Sequence, residues 1–241
     1  MHLKLTWKYL LAWYALSEVL SELHEQAHIT TGYLLAGCYG PRNFNVWQLC
    51  AENPPLPAFL PSLAGPLFSY LVFWLGAWLM TRPHTAGSRR RIIGFSLTLA
   101  ALPFARIFTS AMGGGDEKTV LMLMGLDPLL ARWSAFAVVL VMCGVPIIVA
   151  ARTLNNRRRA LIVAGFCILP LPVIMLWKFK FLNSLLGTGH GAQNAAFGAP
   201  AFVLGYVALC AVGLLLMRRW LLAGDPQAQH SSSPLPVIQG A

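Results

Sequence analysis

The chain has 241 residues, of which 57% are hydrophobic and only 11% charged, and a soluble domain of this size cannot bury so much apolar surface. The mean hydropathy of +0.62 indicates a polytopic protein surrounded by the lipid bilayer. The formal net charge of +10 does not indicate nucleic-acid binding, because the basic residues fall in short runs beside apolar segments.

Six segments are long and apolar enough to be predicted as membrane-spanning helices. They are Leu5 to Tyr33, Pro61 to Met80, Ile92 to Met112, Ala131 to Ala151, Ala160 to Trp177 and Pro200 to Trp220. Most basic residues lie at the ends of these segments on one side, which places both termini in the cytoplasm. We therefore predict an all-α helical bundle of about six transmembrane helices, forming one domain over residues 1–222. The tail 223–241 is rich in Gln, Ser and Pro and is expected to be disordered.

The first of these helices carries an H-E-x-x-H pattern in its second half. His24 and His28 lie one turn apart on the same face of a helix, so their imidazoles can bind one metal ion while Glu25 handles a proton. Each charge within a bilayer costs on the order of 3 kcal/mol or more. The neighbouring Glu18 and Glu22 therefore need a cavity, a partner or a metal. The alternative is a buried polar network in which these groups satisfy one another.

A polar loop with a cysteine at each end follows the first helix. Cys38 and Cys50 are predicted to form a disulfide if this loop lies outside the cytoplasm. Tyr39, Phe44 and Trp47 stand between them at spacings typical of a membrane interface, so an interfacial loop is the favoured interpretation. A lid or re-entrant element over the site is the alternative.

The second and third helices contain residues that are unusual inside a membrane. Gly65 allows a close helix approach, and Pro66 frees a backbone carbonyl that can face a polar cavity. Arg106 is an intramembrane charge in the third helix, and Glu18 or Glu22 is its predicted partner. Three polar, glycine-flanked clusters, including residues 113–117 and 187–191, are expected to meet at the ends of helices one, three and five.

A catalytic zinc commonly has three protein ligands and an open fourth position, so His24 and His28 require a third ligand. Asp116 follows the glycine run 113–115 on the same side and is the predicted one. Its rivals, in order, are Glu117, Asp127 and His190. His190 is alternatively a substrate-binding or oxyanion-stabilising residue, or a hydrogen-bonded surface histidine. The residues predicted to contact substrate or support the site are Glu117, His190, Arg106 and Glu22.

These motifs resemble those of the site-2 protease family of intramembrane zinc metalloproteases. The matching features are the H-E-x-x-H late in the first helix, the run 64–67 (Ala-Gly-Pro-Leu) opening the second, and an acidic residue after a third helix that contains proline. The resemblance implies a Zn²⁺ cofactor held by His24, His28 and Asp116, with Glu25 as the general base. It also implies a membrane protein or peptide as substrate and a multi-pass location in the bacterial inner membrane.

The chain departs from that family at two positions. Ser69 stands three residues after the proline of the second helix, where the family usually has asparagine, and Asp116 lies in a Gly-Asp-Glu context where the family has Leu-Asp-Gly. The charge distribution also places the site on the outer side, whereas many relatives have it nearer the cytosol. We therefore expect a divergent zinc metalloendopeptidase that hydrolyses a peptide bond of a membrane-associated substrate.

Three other functions use the same residue types. A divalent-cation transporter or sensor also places histidines and carboxylates at the mouth of a helical bundle. A carboxylate-bridged di-iron enzyme uses Glu-x-x-His motifs, but a second such motif on another helix is not visible in the sequence. A membrane lipid hydrolase uses the same zinc chemistry, because activation of water does not reveal whether an amide or an ester is cleaved.

Overall fold

The computed structural model describes residues 1–50, 57–82 and 87–222, and the chain in these ranges is predominantly helical. The tail predicted to be disordered and part of the proline-rich connection, residues 51–56, lie outside the described residues. The helices are α1 (Trp7–Ala36), α2 (Leu60–Thr81), α3 (Gly87–Ala100), α4 (Pro103–Ala111), α5 (Asp116–Leu123), α6 (Pro128–Thr153), α7 (Arg159–Ile168), α8 (Pro170–Val173), the π-helix π1 (Ile174–Leu182), α9 (Asn183–Gly187) and α10 (Ala201–Leu222). Strands β1 (Asn194–Ala196) and β2 (Ala199–Pro200) pair antiparallel. The all-α prediction is confirmed.

Within the residues that the structure describes, five helical stretches are long and apolar enough to cross a membrane, so the chain is a multi-pass membrane protein. They are Leu60–Thr81, Arg89–Ala111, Pro128–Thr153, Arg159–Gly187 and Ala201–Leu222. The first predicted span, Leu5 to Tyr33, corresponds to α1, which is 30 residues long but too polar to be counted with these five. It packs against α2, α3 and α10, so its polar residues face the other helices.

The third span has the predicted extent but is interrupted, and the fifth span is longer than predicted. The third helix is not continuous, because α3 ends at Ala100 and α4 begins at Pro103. Proline has no backbone N–H and disfavours the α-helical region for the preceding residue, and Leu102 accordingly adopts a left-handed φ of 60°. The fifth span continues past Trp177 to Gly187, and its middle is the π-helix π1.

The largest apolar core seals the end of the bundle where α1 begins. Tyr9 and Trp13 of α1 pack there against Phe95 of α3 and Phe166 of α7. The segment before α1 closes this end, since the amide of Leu3 donates to the side chain of Asn156 at 2.9 Å. The buried polar residues of α1 begin at Ser17, beyond Tyr9 and Trp13, so the functional groups gather toward the opposite end.

An ion pair connects the middle of α1 to the fifth span. Lys178, within π1, lies 3.2 Å from the carboxylate of Glu18 and donates a 2.8 Å hydrogen bond to Ser21. Both charged side chains are buried, at 2% exposure for Glu18 and 6% for Lys178. The sequence predicted Glu18 as a possible partner of Arg106, and the structure pairs Glu18 with Lys178 instead. Lys178 lies in the middle of π1, where the i→i+5 hydrogen bonds of a π-helix change the directions of the side chains from those of an α-helix.

We predict that Lys178→Met destabilises the protein by about 3–5 kcal/mol, because it leaves the Glu18 carboxylate buried without a counter-charge. The double variant Glu18→Gln with Lys178→Met removes both charges and is expected to recover most of that loss. Thermal unfolding of the purified protein in detergent measures both. A double variant as unstable as the single one would show that the ion pair is not what holds π1 against α1.

Candidate metal centre

Three potential metal ligands from α1 and α5 converge on one point. Nε2 of His24 lies 3.1 Å from Nε2 of His28, and Oδ2 of Asp116 lies 3.5 Å from the first nitrogen and 3.7 Å from the second. His28 is fully buried, and His24 and Asp116 are partly exposed. Of the residues predicted as ligands, the structure brings together these three.

The spacing of these atoms fits a tetrahedral divalent ion. Zinc bonds to nitrogen and oxygen of about 2.0–2.1 Å at tetrahedral angles place ligand atoms about 3.3–3.4 Å apart. The three observed separations of 3.1, 3.5 and 3.7 Å bracket that value. The donor set of two imidazoles and one carboxylate is also one that zinc uses at catalytic sites. The geometry therefore leaves room for one ion and a fourth, open position.

His28 is fixed on three sides. Its Nδ1 donates a 2.6 Å hydrogen bond to the backbone carbonyl of Pro61, which leaves the Nε2 lone pair directed at His24 and Asp116. The indole of Trp47 stacks on the ring at 5.1 Å. On the α2 side the ring lies against Gly65, where a Cβ atom would come within 2.6 Å of Cδ2 and Cε1. A glycine is required there because no other residue leaves space for the imidazole.

His24 is oriented by Ser69 of α2. The serine Oγ lies 2.9 Å from His24 Nδ1, so Nε2 points toward His28. Metal-binding histidines typically have such a partner on the second ring nitrogen. Ser69 is therefore the residue of α2 that orients His24. Without a metal, a proton on His24 Nε2 would let the three groups bond to one another, which is the polar-network alternative.

Asp116 is the first residue of α5, and the turn before it aims its side chain back at α1. Gly115 has a φ of 102°, a conformation that other residues rarely adopt. Burial alone would raise the pKa of Asp116, but contacts with the imidazoles of His24 and His28 and the charge of Arg106 hold that pKa well below its usual range. The carboxylate is therefore ionised and ready to bind a cation.

Arg106 pairs with the acidic residues of α5, so the prediction that Glu18 or Glu22 is its partner is wrong. Its Nη2 donates to Asp116 Oδ2 at 3.2 Å and to Glu117 Oε1 at 2.6 Å, and its Nε donates to Glu117 at 3.2 Å. The hydroxyl of Tyr70 also donates to Glu117. Glu117 is thus held through Oε1 by Arg106 and Tyr70, whereas Asp116 is the acidic residue whose carboxylate converges with the two imidazoles, which favours Asp116 over this rival as the third ligand.

Glu25 lines the cavity next to the three converging groups. The cavity has a volume of about 330 Å³ and is bordered by α1, α2, α4, α5 and the break between α3 and α4. Within the described residues, no hydrogen bond or ion pair engages the Glu25 carboxylate. Its side chain is partly exposed, so it is available to a water molecule or substrate in the cavity.

The segment of residues 37–50, the cover loop, folds over this cavity and contacts it through Asn45 and Trp47. Two anchors hold it in place: Arg42 donates two hydrogen bonds to Glu22 at 2.9 and 3.0 Å, and the amide of Phe44 donates to Asn183 at 3.1 Å. The structure thus favours the lid interpretation over a purely interfacial loop.

A disulfide between Cys38 and Cys50 closes the cover loop at its two ends, with the Cα atoms 6.1 Å apart. This is the pairing that the sequence predicts for a loop outside the cytoplasm. Because the bridge ties the start of the loop to its end, it limits how far Trp47 can move away from His28.

The other predicted candidates lie away from the convergence point. His190 is exposed and shares a 2.9 Å hydrogen bond with Thr188, and it does not line the cavity, so the expected third polar cluster does not join the site. Asp127 caps the start of α6 by accepting from the amides of Leu129 and Leu130. Glu22 is occupied by Arg42 and supports the cover loop.

Three contributors to the site were not identified from the sequence: the carbonyl of Pro61, the hydroxyl of Ser69 and the indole of Trp47. Ser69 lies one helical turn after Gly65, on the same face of α2, and this spacing is the signal that could have linked it to the histidines. The roles of Pro61 and Trp47 depend on how the chain returns to α1, for which no local pattern exists.

No protein family, no curated protein and no solved structure matches this chain.

We predict that Gly65→Ala weakens divalent-metal affinity by about 10–100-fold, because the added methyl group displaces the His28 imidazole. Gly144→Ala is the matched control, since a Cβ at Gly144 of α6 meets no atom within 4 Å. Competition with a chromogenic chelator measures the affinity of both variants for Zn²⁺. Equal affinities in the two variants would mean that this helix contact does not position His28.

Proposed function

We propose that the protein is a zinc-dependent metallopeptidase that hydrolyses a peptide bond in a membrane-associated substrate. The observation that carries the proposal is the convergence of His24 Nε2, His28 Nε2 and Asp116 Oδ2 at tetrahedral spacing beside the unengaged carboxylate of Glu25. The site-2 protease family, which the motifs resemble, uses the same residue types. This chain is a divergent example of that chemistry.

A bound Zn²⁺ supplies a Lewis acid that makes water more acidic and polarises a carbonyl group. Glu25 is the general base: its carboxylate faces the cavity, takes a proton from the attacking water and returns it to the departing amine. His28 and His24 are held in place by Pro61 and Ser69, so the ligands do not have to reorganise. The cover loop shields the cavity from bulk water.

The arrangement of charge disfavours the alternative of cation transport. A transported cation would have to leave the cavity along α1 toward the opposite end of the bundle. The ammonium of Lys178 lies on that route, where it bonds to Ser21 on the cavity wall. Beyond it, the apolar core around Trp13 and Phe166 closes the bundle. The closed ion pair of Lys178 with Glu18, followed by an apolar seal, obstructs the passage of a divalent ion.

Metal analysis of the purified protein tests the zinc site. We expect close to one Zn²⁺ per chain in the unmodified protein and strongly reduced occupancy in His24→Ala, His28→Ala and Asp116→Ala. Asp127→Ala is the control, because Asp127 caps α6 and lies outside the site. Absence of bound divalent metal in the unmodified protein would favour the polar-network alternative and overturn the proposal.

A second prediction concerns the chemistry. Glu25→Gln is expected to retain Zn²⁺ and thermal stability but to lose peptide hydrolysis by at least about 10²-fold, because the amide cannot accept the proton of water. The measurement uses a pool of fluorogenic transmembrane peptides reconstituted with the protein in liposomes. A fluorogenic phospholipid ester in the same liposomes tests the lipid-hydrolase alternative. Full activity of the variant, or cleavage of the ester alone, would contradict peptide hydrolysis at this site.

A further inference from the structure

Arg106 lines the same cavity as Glu25 and the three converging ligands, and the proposed function gives it no chemical role. An arginine within a membrane span is costly to bury, and such residues usually have a functional reason to be there. Pairing with acidic residues accounts for its charge. It does not account for the position of its guanidinium at the cavity wall.

The hydrogen bonds of Arg106 leave part of the guanidinium available. A guanidinium carries five N–H donors, and Nε and Nη2 use theirs on Glu117 and Asp116. Among the described residues, none accepts a hydrogen bond from Nη1. The two N–H groups of Nη1 are thus unsatisfied by the protein beside a cavity that takes a substrate.

The guanidinium is held rigidly and its charge is balanced. Its own nitrogens bond to Glu117 at 2.6 and 3.2 Å and to Asp116 at 3.2 Å, and these three bonds hold it without a hydrogen bond from Tyr70. The Arg106 side chain is only 14% exposed. A donor fixed in this way needs no reorganisation when charge develops near it, and a partly dry cavity strengthens the interaction.

We infer that Arg106 is a catalytic residue that donates a hydrogen bond from Nη1 to the oxyanion formed during peptide hydrolysis. The inference rests on the proposed function. Water forms a new C–O bond to the scissile carbonyl carbon, and the electron pair of the C=O π bond moves to the carbonyl oxygen. The water proton passes to Glu25. When the oxyanion collapses, the C–N bond breaks, the amine takes that proton, and a carboxylic acid and an amine are released.

Ligand binding to the Co²⁺-substituted protein tests this role without a substrate. N-phosphoryl-leucine amide has a tetrahedral phosphoryl group with more than one oxygen, so one oxygen can face the metal while another meets Arg106. Acetohydroxamate is a planar metal ligand and lacks that tetrahedral oxygen. The visible absorption of Co²⁺ reports the affinity of each. Replacing Arg106 with Gln removes Nη1, which should lower the affinity for the phosphoryl ligand by about 10–100-fold and the affinity for acetohydroxamate by less than about threefold.

The variants are chosen so that loss of folding cannot hide the result. Arg106→Gln alone leaves Glu117 buried without its partner, so the double variant Arg106→Gln with Glu117→Gln is used beside it. Tyr70→Phe is the matched control, because it removes one hydrogen bond to Glu117 and leaves the guanidinium in place. We expect this control to bind both ligands within about threefold of the unmodified protein.

The outcomes separate this inference from the proposed function. Equal losses for the two ligands, or no loss for either, in variants that still bind Co²⁺ would overturn the role of Arg106 and leave the metal site standing. If Tyr70→Phe loses as much affinity for the phosphoryl ligand as the Arg106 variants do, Arg106 only positions the acidic residues. An unmodified protein that binds no Co²⁺ would overturn the metal site and the oxyanion role together.

Discussion

The close approach of α1 and α2 at Gly65 is the contact on which the site depends. Because Gly65 has no side chain, the imidazole of His28 lies directly against the backbone of α2 and reaches the carbonyl of Pro61. One turn further along α2, Ser69 meets His24 in the same way. The second helix therefore sets the direction of both imidazoles. Only then does the carboxylate of Asp116, brought by α5, complete a set of three donors.

Buried charge organises the remainder of the bundle. Two buried glutamates of α1 have partners from other parts of the chain: Glu18 is paired with Lys178 of π1 and Glu22 with Arg42 of the cover loop. Arg106 is balanced by α5. In a bilayer an unpaired charge is costly, so each pair fixes the register of one element against another. Glu25 is the exception among the α1 glutamates, since no described residue engages it, and it is the one that faces the cavity.

The fold class and the approach of His24 to His28 were predictable from the sequence because both depend on local patterns. Hydrophobic length identifies the spans, and H-E-x-x-H spacing places two imidazoles on one helical face. The partner of Arg106 was not predictable, because pairing between helices depends on their rotation and depth, which the sequence does not encode locally. The same holds for Trp47: an aromatic loop residue is usually an interfacial anchor, and its stacking on His28 follows only from the return path of the cover loop.

In the proposed site, two imidazoles and one carboxylate bind a divalent ion at the end of the bundle opposite the apolar core. X-ray absorption spectroscopy at the zinc edge, on protein purified without added chelator, measures these ligands. We expect four light-atom neighbours at about 2.0–2.1 Å, with the outer-shell scattering of two imidazole rings. His24→Ala should lose the signal of one ring. Sulfur ligands, or a shell of oxygen atoms without imidazole scattering, would contradict it.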